Sequence, residues 1–233
     1  GTYEGSGGSD DIKTYILRNT KTPTIPNDIT YIGIGAFACW LDLALTSLPN
    51  SVIQIKHYAF YNCINLNLSS LPTNLTYIGE HAFDSCRSWT LSSLPNTIKQ
   101  IAMFAFNGCY KILLSQLPSS LTTLGQSSFA SCYAITISNL PVGVTKIPAT
   151  CFQNCKGITS FTIHSGVTTI DNSFWSCTGL TSVTFQGTPT TINQYAFYNC
   201  TNLKTINVPW ASGTVANAPW GATNATINYN YTG

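Results

Sequence analysis

Apolar residues recur along this chain with a period of 23 residues. Phenylalanine shows the period most clearly, with steps of 23, 23, 23, 23, 23, 22 and 23 residues between successive copies. The column comprises Phe37, Phe60, Phe83, Phe106, Phe129, Phe152, Phe174 and Phe197. A unit of this length cannot bury its apolar face alone, whereas stacked copies bury a continuous core. The pattern therefore predicts a solenoid, not a fold with one central core.

Two further aliphatic columns accompany the phenylalanines. One lies four or five residues before each Phe and comprises Ile32, Ile55, Ile78, Ile101, Leu124, Ile147, Ile170 and Ile192. The other, often followed by Pro, comprises Leu48, Leu71, Leu94, Leu117, Leu140, Ile163, Phe185 and Val208. Both columns indicate short strands that stack in parallel from unit to unit.

One unit illustrates the predicted elements. Residues 66–72 form the main strand, which ends at Pro72 because proline lacks an N–H. Residues 75–79 form a second short extended segment. Phe83 and Cys86 stand three positions apart, which places both on the inner face of a helical turn. The predicted fold is thus a repeat solenoid of about eight units, with a parallel β ladder on the concave side and short strands and helical turns on the convex side.

The chain ends depart from the repeat. We expect a flexible linker over 1–11, a cap or partial repeat over 12–24, the solenoid over 25–209 and a C-terminal cap over 210–233. Trp210 and Trp220 are expected to cover the last open core, and residues 225–231 alternate like a terminal strand. Two irregularities, the shortened step between Ile170 and Phe174 and Trp40 in place of a column cysteine, are expected to fall in the convex turns.

The repeated motif Ile78-Gly79-Glu80-His81-Ala82-Phe83-Asp84-Ser85-Cys86, with Leu-Pro before it, resembles the BspA-type leucine-rich-repeat family over residues 25–209. The resemblance implies a curved parallel β-solenoid on bacterial or protist cell surfaces, used for adhesion and protein binding. The chain keeps glycine only at positions 33, 79 and 125 of its column. The C-terminal segment 208–221 resembles the ends of such proteins in gut bacteria and their prophages, which keeps a phage tail role open.

Charge and hydropathy narrow the functional class. Only 8% of residues are charged and the net charge is +2, so no strong field favours nucleic acid. The apolar runs are too short for a membrane-spanning helix. Ser, Thr and Asn supply the polar surface, a composition common on bacterial surface and phage proteins. The chain begins Gly1-Thr2-Tyr3, so any export signal is expected to lie outside it.

The nine cysteines follow the repeat. Eight occur once per unit, at positions 39, 63, 86, 109, 132, 155, 177 and 200, and Cys151 takes a small-residue position. Their regularity predicts free thiols that act as small buried apolar side chains, neither disulfides nor a zinc site. A hydroxyl in that column is expected to lack a hydrogen-bond partner.

Other chemistry is not indicated. His57, His81 and His164 stand at different positions of their units, which predicts no ring of metal ligands. Glu80, His81, Asp84 and Ser85 fall on one turn, whereas a nucleophile needs a base held by a third group in a cleft. We therefore predict no catalytic residue, no cofactor and no nucleotide.

The outward position before the main strand column offers a binding surface. It forms an uncharged strip of short hydrogen-bonding side chains: Ser47, Ser70, Ser93, Gln116, Asn139, Thr162, Thr184 and Asn207. We expect a protein or glycan partner to bind along this strip, most strongly at its centre. The alternative interpretation is that these residues only solubilise one face of a sheet.

A second candidate surface is an aromatic set after the Phe and Cys columns: Tyr61, Tyr110, Tyr133, Trp175 and Tyr198. Exposed aromatic rings often anchor protein and carbohydrate contacts. The alternative is that these rings pack on neighbouring coils. The sequence thus favours a non-catalytic cell-surface adhesion module, with a phage host-recognition protein as the alternative and a carbohydrate-active enzyme ranked last. It leaves the oligomeric state open.

Overall fold

The computed structural model describes residues 2–3, 16–17 and 21–233. Residues 21–233 wind into a parallel-strand solenoid of about nine coils. This confirms the predicted solenoid, and it also confirms the period, since equivalent residues of successive coils lie side by side. The apolar columns face a single continuous core that runs the length of the coil axis.

One ladder of two-residue strands follows the isoleucine column. Its first part is a five-stranded parallel sheet in chain order: β3 (Tyr31–Ile32), β4 (Gln54–Ile55), β5 (Tyr77–Ile78), β6 (Gln100–Ile101) and β7 (Thr123–Leu124). Its second part has three strands: β8 (Lys146–Ile147), β10 (Thr169–Ile170) and β12 (Thr191–Ile192). In each strand the second residue is buried in the core and the first is more exposed. We call these eight strands the isoleucine ladder.

A second ladder forms only in the C-terminal half. It contains β9 (Ser160–Ile163), β11 (Ser182–Phe185), β13 (Thr205–Asn207) and β14 (Thr226–Asn228), paired in parallel in that order. The prediction of a main strand at residues 66–72 and its equivalents in the earlier units was wrong. Those units carry Leu-Ser-Ser-Leu-Pro, whereas the later ones are richer in β-branched residues, which favour a pleated strand.

The prediction of helical turns was also wrong, because residues 21–233 contain no helix. The segment around each Phe has a residue with positive φ two positions after it and, from Phe37 to Phe152, another two positions before it, such as Asn62 (55°) and Tyr58 (58°) beside Phe60. A right-handed helix requires negative φ throughout. The left-handed residues instead turn alternate N–H groups toward the next coil, so that Phe60 N–H donates to Ala82 O at 2.7 Å.

The phenylalanine column forms an unbroken stack of rings at the centre of the core. Successive centroids lie 4.9 to 6.0 Å apart from Phe37 to Phe197, and neighbouring planes are inclined by 23° or less. Each ring is at most 1% exposed. One coil places Trp89 beside this stack at a position held by Leu or Ile elsewhere, and its indole Nε1–H donates to Leu68 O at 2.7 Å.

The cysteine column is buried as predicted, and all nine thiols are free. Cys39 is the exception, since it is exposed and Trp40 occupies its place in the core. The thiols are not merely apolar, however. Each column thiol from Cys63 to Cys200 donates to the carbonyl oxygen of the Phe in the preceding coil, and Cys109 Sγ lies 3.1 Å from Phe83 O. A hydroxyl in this column would therefore have an acceptor, which corrects the expectation above.

The N-terminal predictions fall mostly outside the described residues. β1 (Thr2–Tyr3) pairs antiparallel with β2 (Ile16–Leu17), and the remaining residues of the predicted linker and of the 12–24 cap up to residue 20 lie outside that part of the chain.

At the C-terminus, Trp210 and Trp220 are buried against Phe185, with ring centroids 5.1 and 6.3 Å from it. β14 continues the second ladder as the predicted terminal strand. Both tryptophans therefore take the place that the sequence assigned to them.

The shortened coil keeps its strands in register. Thr169–Ile170 pairs with the coil before it and the coil after it, so the missing residue falls in the following turn, as predicted. In that turn Asn172 N–H donates to the Asp171 carboxylate at 2.9 Å rather than to the next coil.

At two copies of the glycine column, neighbouring coils lie too close together for a side chain. A Cβ on Gly79 would lie 2.6 Å from His57 N, and one on Gly125 would lie 2.1 Å from Met103 N. At Gly33, the first copy, a Cβ would meet nothing within 4 Å. The close approach therefore requires glycine at two copies of the column and not at all of them.

We expect Gly125→Ala to lower the free energy of unfolding by about 1–3 kcal/mol, because the added methyl group would overlap backbone that cannot move independently. The matched control is Gly33→Ala, where a Cβ meets nothing within 4 Å. Urea unfolding followed by circular dichroism measures both variants. If both variants lose the same free energy of unfolding, the close approach of neighbouring coils does not explain the glycine at position 125.

We expect Cys109→Ala to destabilise the fold by about 1–3 kcal/mol through a small cavity and a lost donor. Cys109→Ser should cost less, because its hydroxyl can donate to Phe83 O as the thiol does. Buried Ser173 shows the same kind of bond, with Oγ 2.9 Å from Ile147 O of the preceding coil. The same unfolding experiment compares the two variants, and a serine variant less stable than the alanine variant would contradict the thiol's role as a donor.

Candidate interaction surface

The predicted strip lies on the outside of the solenoid. Ser47, Ser70, Ser93, Gln116 and Asn139 are exposed and lie outside the two strand ladders. Thr162, Thr184 and Asn207 are half-buried and belong to β9, β11 and β13. An isolated parallel bridge between Asn139 and Thr162 joins the two parts. The outward direction follows from alternation, since the next residue of each copy turns toward the core.

Side chains of the strip bond to one another at its C-terminal end. Asn207 Nδ2 donates to Thr184 Oγ1 at 3.2 Å, and Asn228 Nδ2 donates to Asn207 Oδ1 at 2.8 Å. Sequence reasoning missed Asn228, which extends the strip by one coil. The signal was present, because Thr226-Ile227-Asn228 repeats Thr205-Ile206-Asn207.

A shallow groove of about 500 Å³ opens at the centre of the strip. Asn139 and Thr162 line it together with Ser119, Pro141, His164 and Gln186. Val142 stands at its rim and is 83% exposed. An apolar side chain so exposed, next to convergent polar groups, is a feature of contact surfaces.

The aromatic set divides into separate clusters. Tyr110 and Tyr133 stack on one another with centroids 4.9 Å apart, and Tyr133 is 38% exposed. Trp175 and Tyr198 lie 4.7 Å apart near the C-terminal end. Tyr195, which sequence reasoning missed, joins them at 6.1 Å from Trp175. These rings do pack between coils, yet several keep an exposed edge.

The N-terminal cluster has a different composition. His81 is sandwiched between Tyr58 and Phe104, with centroids 4.8 and 4.7 Å away and nearly parallel planes. Tyr61 meets the same imidazole edge-on at 6.2 Å. Tyr61 is therefore half-buried in a stack rather than isolated on the surface.

The residues that most resemble a catalytic set do not form one. His81 Nδ1 lies 2.7 Å from Asp84 Oδ2, but Ser85 Oγ donates to the other Asp84 oxygen at 2.9 Å. The serine thus faces the carboxylate instead of the imidazole that would have to act as its base. Asn107 Nδ2 also donates to Asp84 Oδ1, which satisfies this buried carboxylate structurally.

Metal-ligating side chains are scattered. Among residues 21–233, no three His, Cys, Asp or Glu side chains come together in a way that could hold a metal ion. His164 Nε2 lies 3.0 Å from Val144 O, and its Nδ1 accepts from Gly166 N–H.

The repeat also matches a known sequence family. The model of the "BspA type Leucine rich repeat region" matches in six copies over residues 11–136 and 99–218. The chain belongs to the BspA-type leucine-rich-repeat family. Membership in this family supports a protein-interaction repeat module. No curated protein sequence matches the chain.

Solved structures show the same fold as this BspA-type protein. A leucine-rich-repeat protein from Bacteroides ovatus is 18% identical, with a TM-score of 0.60 over 97% of this chain and 75% of that one. A leucine-rich cell surface protein from Faecalibacterium prausnitzii is 23% identical, with a TM-score of 0.54 over 91% and 62%. The T. pallidum leucine-rich-repeat protein is 29% identical, with a TM-score of 0.54 over 67% and 72%.

In the part of the chain that the structure describes, no helix has the length and apolar character needed to cross a bilayer.

Burial suppresses the acidity of the thiols in this BspA-type core. It raises the pKa of Cys63, Cys151 and Cys200 to about 12, and that of Cys155 and Cys177 well above the usual value. These thiols are therefore protonated at neutral pH. The thiolate is the nucleophile and the metal ligand, so these five buried thiols are poorly reactive in the folded protein.

The Cys151 thiol should make stability depend on alkaline pH. It stays neutral in the fold up to about pH 12 but ionises near pH 9.0 once unfolded. Its stabilising effect is thus complete below pH 9 and is lost as the pH rises through 12. Cys151→Ala, which introduces the residue that other coils have there, should lose less stability above pH 9, by about 1.4 kcal/mol per pH unit. Urea titrations between pH 8 and 11 test this, and parallel curves would contradict it.

Proposed function

We propose that this protein is a non-catalytic, extracellular or cell-surface module that binds a partner protein along the strip from Ser47 to Asn228. The observation that supports this most directly is the alignment of one outward polar side chain from every coil. A long partner can thereby touch many coils at once.

The centre of the strip has the properties of a contact site. The groove beside Asn139 and Thr162 combines hydrogen-bonding groups with the exposed Val142. Short side chains on a rigid backbone lose little conformational entropy when a partner docks. Central contacts are also the best shielded from water, which increases their contribution to binding.

A surface location is supported by likeness and composition. The F. prausnitzii relative is a cell surface protein, and the family resemblance implies surface adhesion. The charge content of 8% and the many Ser, Thr and Asn residues fit an exported protein. A non-catalytic role is supported by the hydrogen bonds of Ser85 and Asp84 and by the protonated thiols, which leave no activated nucleophile in these groups.

We expect Asn139→Arg and Gln116→Glu to abolish most binding of protein-coated beads to the target cell surface, because bulk and charge would disrupt a flat neutral contact. Beads are counted on cultured epithelial cells and, in parallel, on bacterial cells. Attachment to bacteria alone would favour the phage host-recognition alternative over adhesion.

The matched controls are Gln100→Glu and Thr123→Arg, which place the same side chains at exposed positions of the isoleucine ladder. They should bind like the unmodified protein, and all four variants should keep their melting temperature. If the control variants lose as much binding as the strip variants, the strip is not the contact surface.

A further inference from the structure

Two stacked tyrosines directly follow the column cysteines Cys109 and Cys132, and a cation lies over the outer face of each ring. Arg87 Cζ lies 5.7 Å from the Tyr110 ring centroid, and Lys156 Nζ lies 4.9 Å from that of Tyr133. The two rings are 4.9 Å apart and inclined by only 5°. These four residues come from four successive coils at the same position of the repeat. We call them the tyrosine column.

Cations and the stacking itself cover the ring faces of Tyr110 and Tyr133, whereas the ring edges that carry the phenol hydroxyls are not covered by another side chain of residues 21–233. Each ring has a cation on one face and the other tyrosine on its second face. Neither phenol hydroxyl bonds to another residue in the described part of the chain, and Tyr133 is 38% exposed. The column therefore presents hydroxyl donors between two cations, with the stacking holding both cations at fixed positions.

The cations of the tyrosine column form no ion pair within residues 21–233. Residues 85 to 170 contain five Lys or Arg and no Asp or Glu. Three of these five cations, Arg87, Lys111 and Lys156, are in the column or next to it in the chain, and all three are exposed. The ion pairs of residues 21–233 all lie among His57, Glu80, His81 and Asp84. In a chain with so few charges, this is a concentrated positive surface.

We propose that the tyrosine column binds an extended acidic segment of a partner protein. Carboxylates pair with guanidinium and ammonium groups and accept hydrogen bonds from phenol hydroxyls. From Arg87 to the Tyr110 ring, from there to the Tyr133 ring and from there to Lys156, the spacings are 5.7, 4.9 and 4.9 Å. An extended chain rises about 3.3 Å per residue. Carboxylates about four or five residues apart would thus reach both end cations.

The surroundings favour a polypeptide over other polyanions. Leu113, two residues beyond Lys111, is 51% exposed and offers an apolar contact beside the charges. Anionic membranes are recognised by clusters of about four to eight cations, more than this surface contains. A segment that mixes acidic and apolar side chains satisfies both features. This inference builds on the proposed function only in treating the chain as a protein-binding module, and it concerns a different surface from the strip.

The test measures fluorescence anisotropy with a labelled ten-residue peptide of alternating Glu and Ala at low salt. Arg87→Gln combined with Lys156→Gln should weaken binding about tenfold or more. The matched control, Lys99→Gln combined with Lys146→Gln, removes the same charge from the neighbourhood of the isoleucine ladder and should change binding less than about twofold. Tyr110→Leu with Tyr133→Leu keeps every charge and should still weaken binding about threefold or more.

The proposal is overturned if the unmodified protein does not bind the Glu–Ala peptide, or if the Arg87/Lys156 and Lys99/Lys146 variants lose equal affinity for it. It is also overturned if the double tyrosine variant binds the peptide as tightly as the unmodified protein. Tighter binding of dextran sulfate or phosphatidylserine vesicles than of the peptide would likewise contradict it. A Gln–Ala peptide should not bind. Gln116→Glu should bind the acidic peptide normally, so that failure of the strip and failure of the tyrosine column give different results.

Discussion

The stack of phenylalanine rings sets the distance between coils, and the rest of the solenoid conforms to that distance. Ring centroids 4.9 to 6.0 Å apart match the separation of about 4.8 Å between paired strands. Aromatic packing in the core and backbone pairing at the edge therefore reinforce one another. Because successive coils stack in register, a residue that recurs every 23 positions lies beside its own copies in the neighbouring coils. The strip, the thiol column and the tyrosine column are three consequences of this single constraint.

The period revealed which residues share a place in the coil, and this part of the fold could be predicted. Phe60, Ile78 and Cys86 are buried as their columns required, and Trp40 replaces Cys39 in the core. The period does not reveal the sign of φ, so the left-handed Tyr58 and Asn62 were mistaken for parts of a helical turn. Nor does it show that Cys109 has a carbonyl acceptor, since the acceptor belongs to the backbone of another coil.

The candidate surfaces, too, could be predicted from the sequence only in part. The exposure of Gln116 and Asn139 followed from alternation alone, whereas the groove beside Val142 depends on side-chain positions that the period does not give. The sequence alone shows that Tyr110 and Tyr133 hold the same position in successive units. That cations lie over their rings could be seen only from the side-chain positions. Arg87 and Lys156 share the repeat position of the two tyrosines, but the period does not show that a cation of one coil lies over the ring of the next.

The C-terminal coils are joined by fewer turn hydrogen bonds, which has a mechanical consequence. Most coils have three N–H groups around the phenylalanine that donate to the following coil, as Tyr58, Phe60 and Asn62 do. The coil that contains Phe174 has two, because the Asn172 amide donates to Asp171 instead. The coil that contains Phe197 has one, which donates to Trp220 O, because the Tyr195 amide donates to Asn193 instead. Tension along the axis loads these interfaces in series, so the weakest one yields first. A pulled solenoid would therefore open between the coil of Phe197 and the segment of Trp220, leaving the groove and its flanking coils wound.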